Sequence, residues 1–268
     1  MKRFRVFDPN LPNRLEPGLC ALAVMTKAPQ AGRVKTRLVP PLTAEEAAEL
    51  NKCFLRDTAA AISTVCCSGG ARPSNAANLR VRSGAQRAPQ QCRAVAVYTP
   101  IGAESAYDDI LPPDFSLMPQ RGDNFGDRLY FAVEDLFKCG FASVCLIDSD
   151  SPTVPPENFA DAVELLSTRE DRVVVGPSDD GGYYLIGLKT SHRHLFEQID
   201  WSTERVLKQT IKRATEAGLE VQLLANGYDV DDDASLRRLS KELLAYSTPA
   251  DIAPHTREFL ASLRQRKF

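Results

Sequence analysis

The chain has 268 residues, with 33 Lys and Arg against 35 Asp and Glu and a net charge of −2. That length suits one large domain, or at most two small ones, with a sizeable core. The charge balance argues against a nucleic-acid partner held on a basic surface, and no apolar run approaches the roughly 18–20 residues needed to span a bilayer.

Residues 1–18 are basic at first but lack an apolar stretch, so they read as a flexible N-terminal extension and not a secretory leader. Residues 20–26 form the first predicted strand, followed by a loop over 27–41 rich in Pro, Gly and basic side chains. Thr43 and Glu46 have the spacing of a capping box and open a helix with Ala47, Leu50, Phe54, Ala61 and Val65 on one side. Residues 68–91 have almost no large apolar side chain and read as a poorly ordered insertion.

Strands follow at 94–98 and 115–118, then a helix over 125–139 with Gly140 suited to its C′ position. The apolar run at 143–147 ends at Asp148 and Asp150, before Pro152. Pro156 starts a helix to Leu166. Strands at 172–176 and 183–188 flank Pro177-Ser178-Asp179-Asp180-Gly181-Gly182, and Ser202 is read as the cap of a helix to Ala217. A last strand at 220–224 precedes the acids Asp229, Asp231, Asp232 and Asp233 and a closing helix through Leu244. The alternation of strands and helices predicts an α/β sheet with helices on its faces. The domain is expected over 19–246, with a polar C-terminal tail at 247–268. Seven cysteines without a Cys-x-x-Cys pair fit buried thiols in a reducing, cytoplasmic compartment.

Four segments offer chemistry. Lys27, Arg33, Lys35 and Arg37 bring four cations into eleven residues directly after the first strand, and Gly32 allows close backbone approach, which suits a pyrophosphate. The segment lacks the P-loop pattern, and a solvated basic loop is the plain alternative. Asp148 and Asp150 stand where a strand ends, the place at which such sheets bind ligands, and a divalent cation holding a diphosphate would relieve their repulsion. They would serve equally as turn-forming acids. Asp179-Asp180-Gly181-Gly182 reads either as a hairpin turn or as a tight turn presenting Asp180 to an acceptor. The surplus of acids at 229–233 over what a helix start needs suggests that one is a second metal ligand. Trp201, the only Trp, would line a pocket or pack in the core.

Taken together, the segments resemble a bacterial family of GT-A-fold glycosyltransferases often encoded beside radical-SAM proteins. The likeness rests on residues 27–38, on Gln120-Arg121-Gly122-Asp123-Asn124-Phe125-Gly126-Asp127-Arg128-Leu129, on Asp150-Ser151-Pro152-Thr153 with residues 176–188, and on Asp229-Val230-Asp231. It implies a three-layer α/β/α domain with a mixed, mostly parallel sheet and a nucleotide-diphosphate sugar bound over its first half. By this resemblance Lys27, Gly32, Lys35 and Arg37 would hold phosphates, Gln120 and Gly122 would face the base, and Asp150 with Asp231 would hold Mg²⁺ or Mn²⁺. Asp148 stands where the family commonly carries Gly. Asp180 would act on the acceptor, in a pocket with Asp179, Gly181, Gly182 and Trp201, and Lys35 would stabilise the departing charge. The expected activity is metal-dependent glycosyl transfer. Because the fold also serves nucleotidyltransferases, transfer from an NTP to a phosphorylated acceptor is the alternative, and a non-catalytic nucleotide-binding protein is a third.

Overall fold

In the computed structural model, which describes residues 4–13, 15–67 and 91–267, the apolar runs form one sheet. Its strands are β1 (Arg5–Val6), β2 (Cys20–Lys27), β3 (Cys92–Thr99), β4 (Ser116–Pro119), β5 (Ser143–Ile147), β6 (Arg172–Pro177), β7 (Tyr183–Leu188) and β8 (Glu220–Leu223). They lie in the order β1-β4-β3-β2-β5-β7-β6-β8. Every pairing is parallel except the two that β7 makes with β5 and β6.

Parallel strands of this kind are covered on both faces, and the side chains alternate accordingly. Cys20, Leu22 and Val24 of β2 point to one face while Ala21 and Ala23 point to the other. The first face is covered by α1 (Ala44–Cys67) and α3 (Pro156–Leu166) through Leu55, Ile62, Phe159 and Ala162. The second is covered by α2 (Phe125–Lys138) and α4 (Val206–Glu216) through Leu129, Val133, Leu136 and Ala214. Each large apolar side chain buried in these layers contributes about 1.5–3 kcal/mol. The expected three-layer α/β/α architecture with a mixed, mostly parallel sheet is the one observed.

The expected capping box at the start of α1 is reciprocal. Thr43 Oγ1 accepts from the Glu46 amide at 3.1 Å, and Glu46 Oε2 accepts from the Thr43 amide at 2.9 Å. The start of α4 differs from the sequence reading. Ser202 has φ 64°, Thr203 Oγ1 donates to the Asp200 carbonyl at 2.7 Å, and the helix begins at Val206. A closed turn occupies the residues that a Ser cap would have made helical.

Among the described residues, the segments near both ends carry more secondary structure than expected. Arg5 and Val6 pair with β4, and Phe7 is buried against Phe141 with ring centroids 5.6 Å apart. The residues read as a polar tail carry helix α6 (Pro254–Lys267), whose Leu260 and Leu263 enter a third apolar cluster. That cluster also holds Leu50 and Phe54 of α1, Val230, and Leu236 and Leu239 of α5 (Asp233–Leu243). The buried Asp57 of α1 caps α6 from a distance, accepting the amides of His255 at 3.1 Å and Thr256 at 2.9 Å. A cap supplied by another helix leaves no local signal. The insertion expected at 68–91 lies, apart from Gln91, outside the described residues. Among the described residues no helix is long and apolar enough to cross a membrane.

Candidate active site

The parallel strands end at one edge of the sheet, and a groove with two adjoining pockets opens there. The first, of about 360 Å³, is lined by Met25, Thr26 and Lys27 at the end of β2, Thr99 at the end of β3, Ser149 and Asp150 after β5, and the loop residues Arg33 to Arg37. Asn51, Gln120, Phe125, Arg128 and Asp231 complete the wall. Five cationic side chains (Lys27, Arg33, Lys35, Arg37 and Arg128) stand there against the two carboxylates of Asp150 and Asp231. Such a surplus favours a polyanion. The loop carrying Gln120 is fixed by Arg121, which grips the buried Asp135 of α2 at 2.7 and 2.8 Å.

Asp231 reaches Asp150 because an extended segment runs beside the β6–β7 hairpin and on to the β5 loop. Asp179 N donates to the Gly227 carbonyl at 3.0 Å, and Val230 N donates to the Asp150 carbonyl at 3.0 Å. Between the two carboxylates sits the ammonium of Lys35. Its Nζ lies 2.9 Å from Asp150 Oδ2, 2.8 Å from Asp231 Oδ1 and 2.7 Å from the Val230 carbonyl. Burial disfavours this charge, but the two carboxylates outweigh it and hold the ammonium above its ordinary range.

The donor set suits a hard divalent cation. Two carboxylate oxygens converge on one point, now taken by Lys35, beside a pocket that would bring phosphate oxygens. Mg²⁺ commonly takes one or two carboxylates and fills its other positions with phosphate and water. Among the described residues no three or more His, Cys, Asp or Glu side chains are grouped to hold a metal ion by themselves. Asp150 and Asp231 therefore fit the ion as partners of a bound phosphate.

The second pocket, of about 200 Å³, shares Met25 and Phe125 with the first. Its apolar wall includes Leu129, Leu146, Ile186 and Trp201, and the Trp201 ring meets Phe125 edge-on at 5.1 Å. Its ionisable side chains are the three acids Asp148, Asp180 and Asp229 and the phenols of Tyr183 and Tyr184, with no Lys, Arg or His among the described residues that line it. Burial raises the Asp148 carboxyl well above the usual carboxylate range, and the charge of Asp150 adds to this. Burial, then Asp180 and Asp231, push Asp229 up to about 6. Asp180 sits on the tight turn between β6 and β7, where Gly181 has φ +87° and an added Cβ would lie 2.3 Å from the Glu204 carbonyl oxygen. One Asp180 oxygen accepts the Gly182 amide at 2.8 Å, which fixes the side chain.

The structure therefore brings Lys27, Lys35, Arg37, Gln120, Asp150 and Asp231 to one pocket, and Asp180, Gly182 and Trp201 to the next. It does not gather all the residues singled out in the sequence. Gly32 and Gly122 are absent from both linings. Gly122 instead allows the backbone of α2 to approach, since an added Cβ would lie 2.8 Å from Arg128 N. Asp179 is held by Arg238 at 2.6 Å and by Asn226, and Gly181 accepts the Leu207 amide, so both serve the turn. Gln120 donates its amide to the carbonyls of Thr26 and Val97, bracing the pocket edge.

The sequence reading gave Arg128 and Phe125 no role, and it took Asp148 and Asp229 only as candidate metal acids, whereas both line the second pocket. Asp229 had a legible signal: residues i and i+2 of an extended chain share a face about 6.6 Å apart. Asp229 and Asp231 look into successive pockets while Val230 enters the core. Asp148 and Asp150 are divided between the same two pockets.

This mostly parallel α/β/α sheet, with a cation-lined pocket at its strand ends, has the nucleotide-diphospho-sugar transferase fold. A crystal structure from Desulfovibrio desulfuricans G20, described as a "putative nucleotide-diphospho-sugar transferase", matches with a TM-score of 0.71 and 26% identity, covering 93% of this chain and 98% of that one. Residues 80–203 match the model of a family described as "Uncharacterized protein conserved in bacteria (DUF2064)". Less similar is a 4-diphosphocytidyl-2C-methyl-D-erythritol synthase from Anaerococcus prevotii, at 10% identity and a TM-score of 0.48 over 82% of this chain and 93% of that one. A CMP:2-keto-3-deoxy-manno-octonic acid synthetase in complex with CTP has 11% identity and a TM-score of 0.47 over 82% of this chain and 96% of that one. No curated protein matches the sequence.

Proposed function

We propose that the protein transfers a glycosyl group from a nucleotide-diphosphate sugar to an acceptor that carries no negative charge. The observation that supports this most directly is the division of charge between the adjoining pockets, cationic in the first and carboxylate-lined in the second. A diphosphate suits the first. A phosphorylated or carboxylated acceptor in the second would meet Asp180 and, above about pH 6, Asp229, with no cation among the described lining residues to offset them. This disfavours nucleotidyl transfer to a phosphorylated acceptor, although the fold accommodates both reactions.

Asp150 and Asp231 would hold Mg²⁺ or Mn²⁺. Bound there, the ion supplies the charge neutralisation that a departing nucleoside diphosphate needs. Lys27, Arg33, Arg37 and Arg128 orient the donor phosphates and stabilise the same developing charge. Asp180, held by the Gly182 amide, orients the acceptor hydroxyl and takes its proton as the new bond forms. Phe125 and Trp201 provide an apolar face against which a sugar ring packs and which keeps water from the transferring carbon.

The test is a panel of nucleotide-diphosphate sugars and NTPs with neutral and phosphorylated acceptors, in Mg²⁺ or Mn²⁺. Release of a nucleoside diphosphate from a sugar donor, accelerated by a neutral acceptor and lost in Asp180→Asn, is expected. Pyrophosphate release from an NTP with a phosphorylated acceptor, and no turnover of any sugar donor, would sink the proposal.

A further inference from the structure

We infer that Lys35 is an internal counter-ion that holds the metal position until a diphosphate draws it away, so that metal and nucleotide enter together and free metal is refused. The inference rests on the proposed roles of Asp150 and Asp231 and of the cationic pocket. An ammonium has three donors, and all three are used here: on Asp150 Oδ2 at 2.9 Å, Asp231 Oδ1 at 2.8 Å and the Val230 carbonyl at 2.7 Å. The side chain is 4% exposed. Lys35 is thus fully satisfied within the protein and has no donor left for a phosphate.

A divalent cation cannot simply join this arrangement. Sharing either oxygen with Nζ, at an Mg–O distance of about 2.1 Å, would put the ion within about 5 Å of the ammonium. Two cations that close, in a site with two carboxylates, repel each other strongly. Nor can Lys35 leave unaided, because a charge removed from buried partners must find new ones. The adjoining pocket supplies them: Lys35 itself forms part of its wall, and a diphosphate there would offer several anionic oxygens. The exchange makes and breaks no covalent bond. The ammonium passes from carboxylates to phosphate, and the two freed carboxylates pass to the metal. Metal and diphosphate then strengthen each other's binding, and the coupling is reciprocal.

Mn²⁺ binding to the full-length chain, followed by loss of the free-ion electron paramagnetic resonance signal, tests this without any catalytic readout. The wild type is expected to take up Mn²⁺ at least about tenfold more weakly than Lys35→Met when no nucleotide is present. With a saturating nucleoside diphosphate, corrected for the Mn²⁺ the nucleotide binds alone, wild-type uptake should rise to one ion per chain. Lys35→Gln, which keeps a neutral donor for the Val230 carbonyl, should behave like Lys35→Met and serves if the latter fails to fold. Equal Mn²⁺ affinity of the wild type and both variants without nucleotide would overturn the counter-ion role while leaving the metal ligands in place. No Mn²⁺ uptake by any of them, even with every nucleoside diphosphate, would overturn the metal assignment as well.

Discussion

Asp229→Asn is expected to stabilise the protein above about pH 6 and to change it little below about pH 4. The Asp229 carboxyl titrates near 6 in the folded protein against 3.8 for an ordinary Asp, chiefly through burial and then through Asp180 and Asp231. Between those two values the folded state holds a proton that the unfolded chain has already released. Stability therefore falls as pH rises through this window, and the deficit is complete above it. At about 1.4 kcal/mol per pH unit the full shift corresponds to about 3 kcal/mol. The residue is half-buried, and solvent screening reduces the figure to about 1–2 kcal/mol. Asn keeps an oxygen for Ser178 Oγ, which donates to Asp229 Oδ1 at 3.2 Å, so little else changes. Urea unfolding of both proteins from about pH 4 to pH 8 measures the gap, which in a chain of this size corresponds to about 2–4 °C of melting temperature per kcal/mol. A gap independent of pH, or a wild type more stable than the variant at pH 7.5, would refute the reasoning. The costly charge has a use if it faces the acceptor, and the same variant should lose turnover while gaining stability.

Asp148→Asn should leave the melting temperature at neutral pH unchanged or raised, because burial already favours the uncharged carboxyl there; in Asp150→Asn, by contrast, metal-dependent nucleoside-diphosphate binding should weaken about tenfold or more by calorimetry. Gly126→Ala should destabilise by about 1–3 kcal/mol and alter the emission of Trp201, the only Trp, since the new Cβ would lie 2.6 Å from the Phe196 carbonyl and 2.8 Å from Trp201 Nε1. An unchanged fluorescence spectrum and melting curve would count against this packing. Arg128→Ala should cost about 1.5–3 kcal/mol of nucleoside-diphosphate affinity, the worth of a hydrogen bond to a charged group, and equal titrations of variant and wild type would remove Arg128 from the donor site.

Much of the framework was determined within short stretches of sequence. The apolar runs at β2, β3 and β5, the reciprocal cap of Thr43 and Glu46, and the turn at Gly181 each depend on side chains a few residues apart. Hydrophobic periodicity and backbone capping act at that range, so a linear reading finds them. The order of α6 escaped it because its cap, Asp57, belongs to α1 and its apolar residues are few. The site was legible only as a set of candidates. Which carboxylate meets which partner is set by Coulomb forces and desolvation through space, and neither follows chain order. The family resemblance had paired Asp150 with Asp231, but only the tertiary structure set the Lys35 ammonium between them and divided each Asp-x-Asp pair between a pocket lined with cations and one lined with acids.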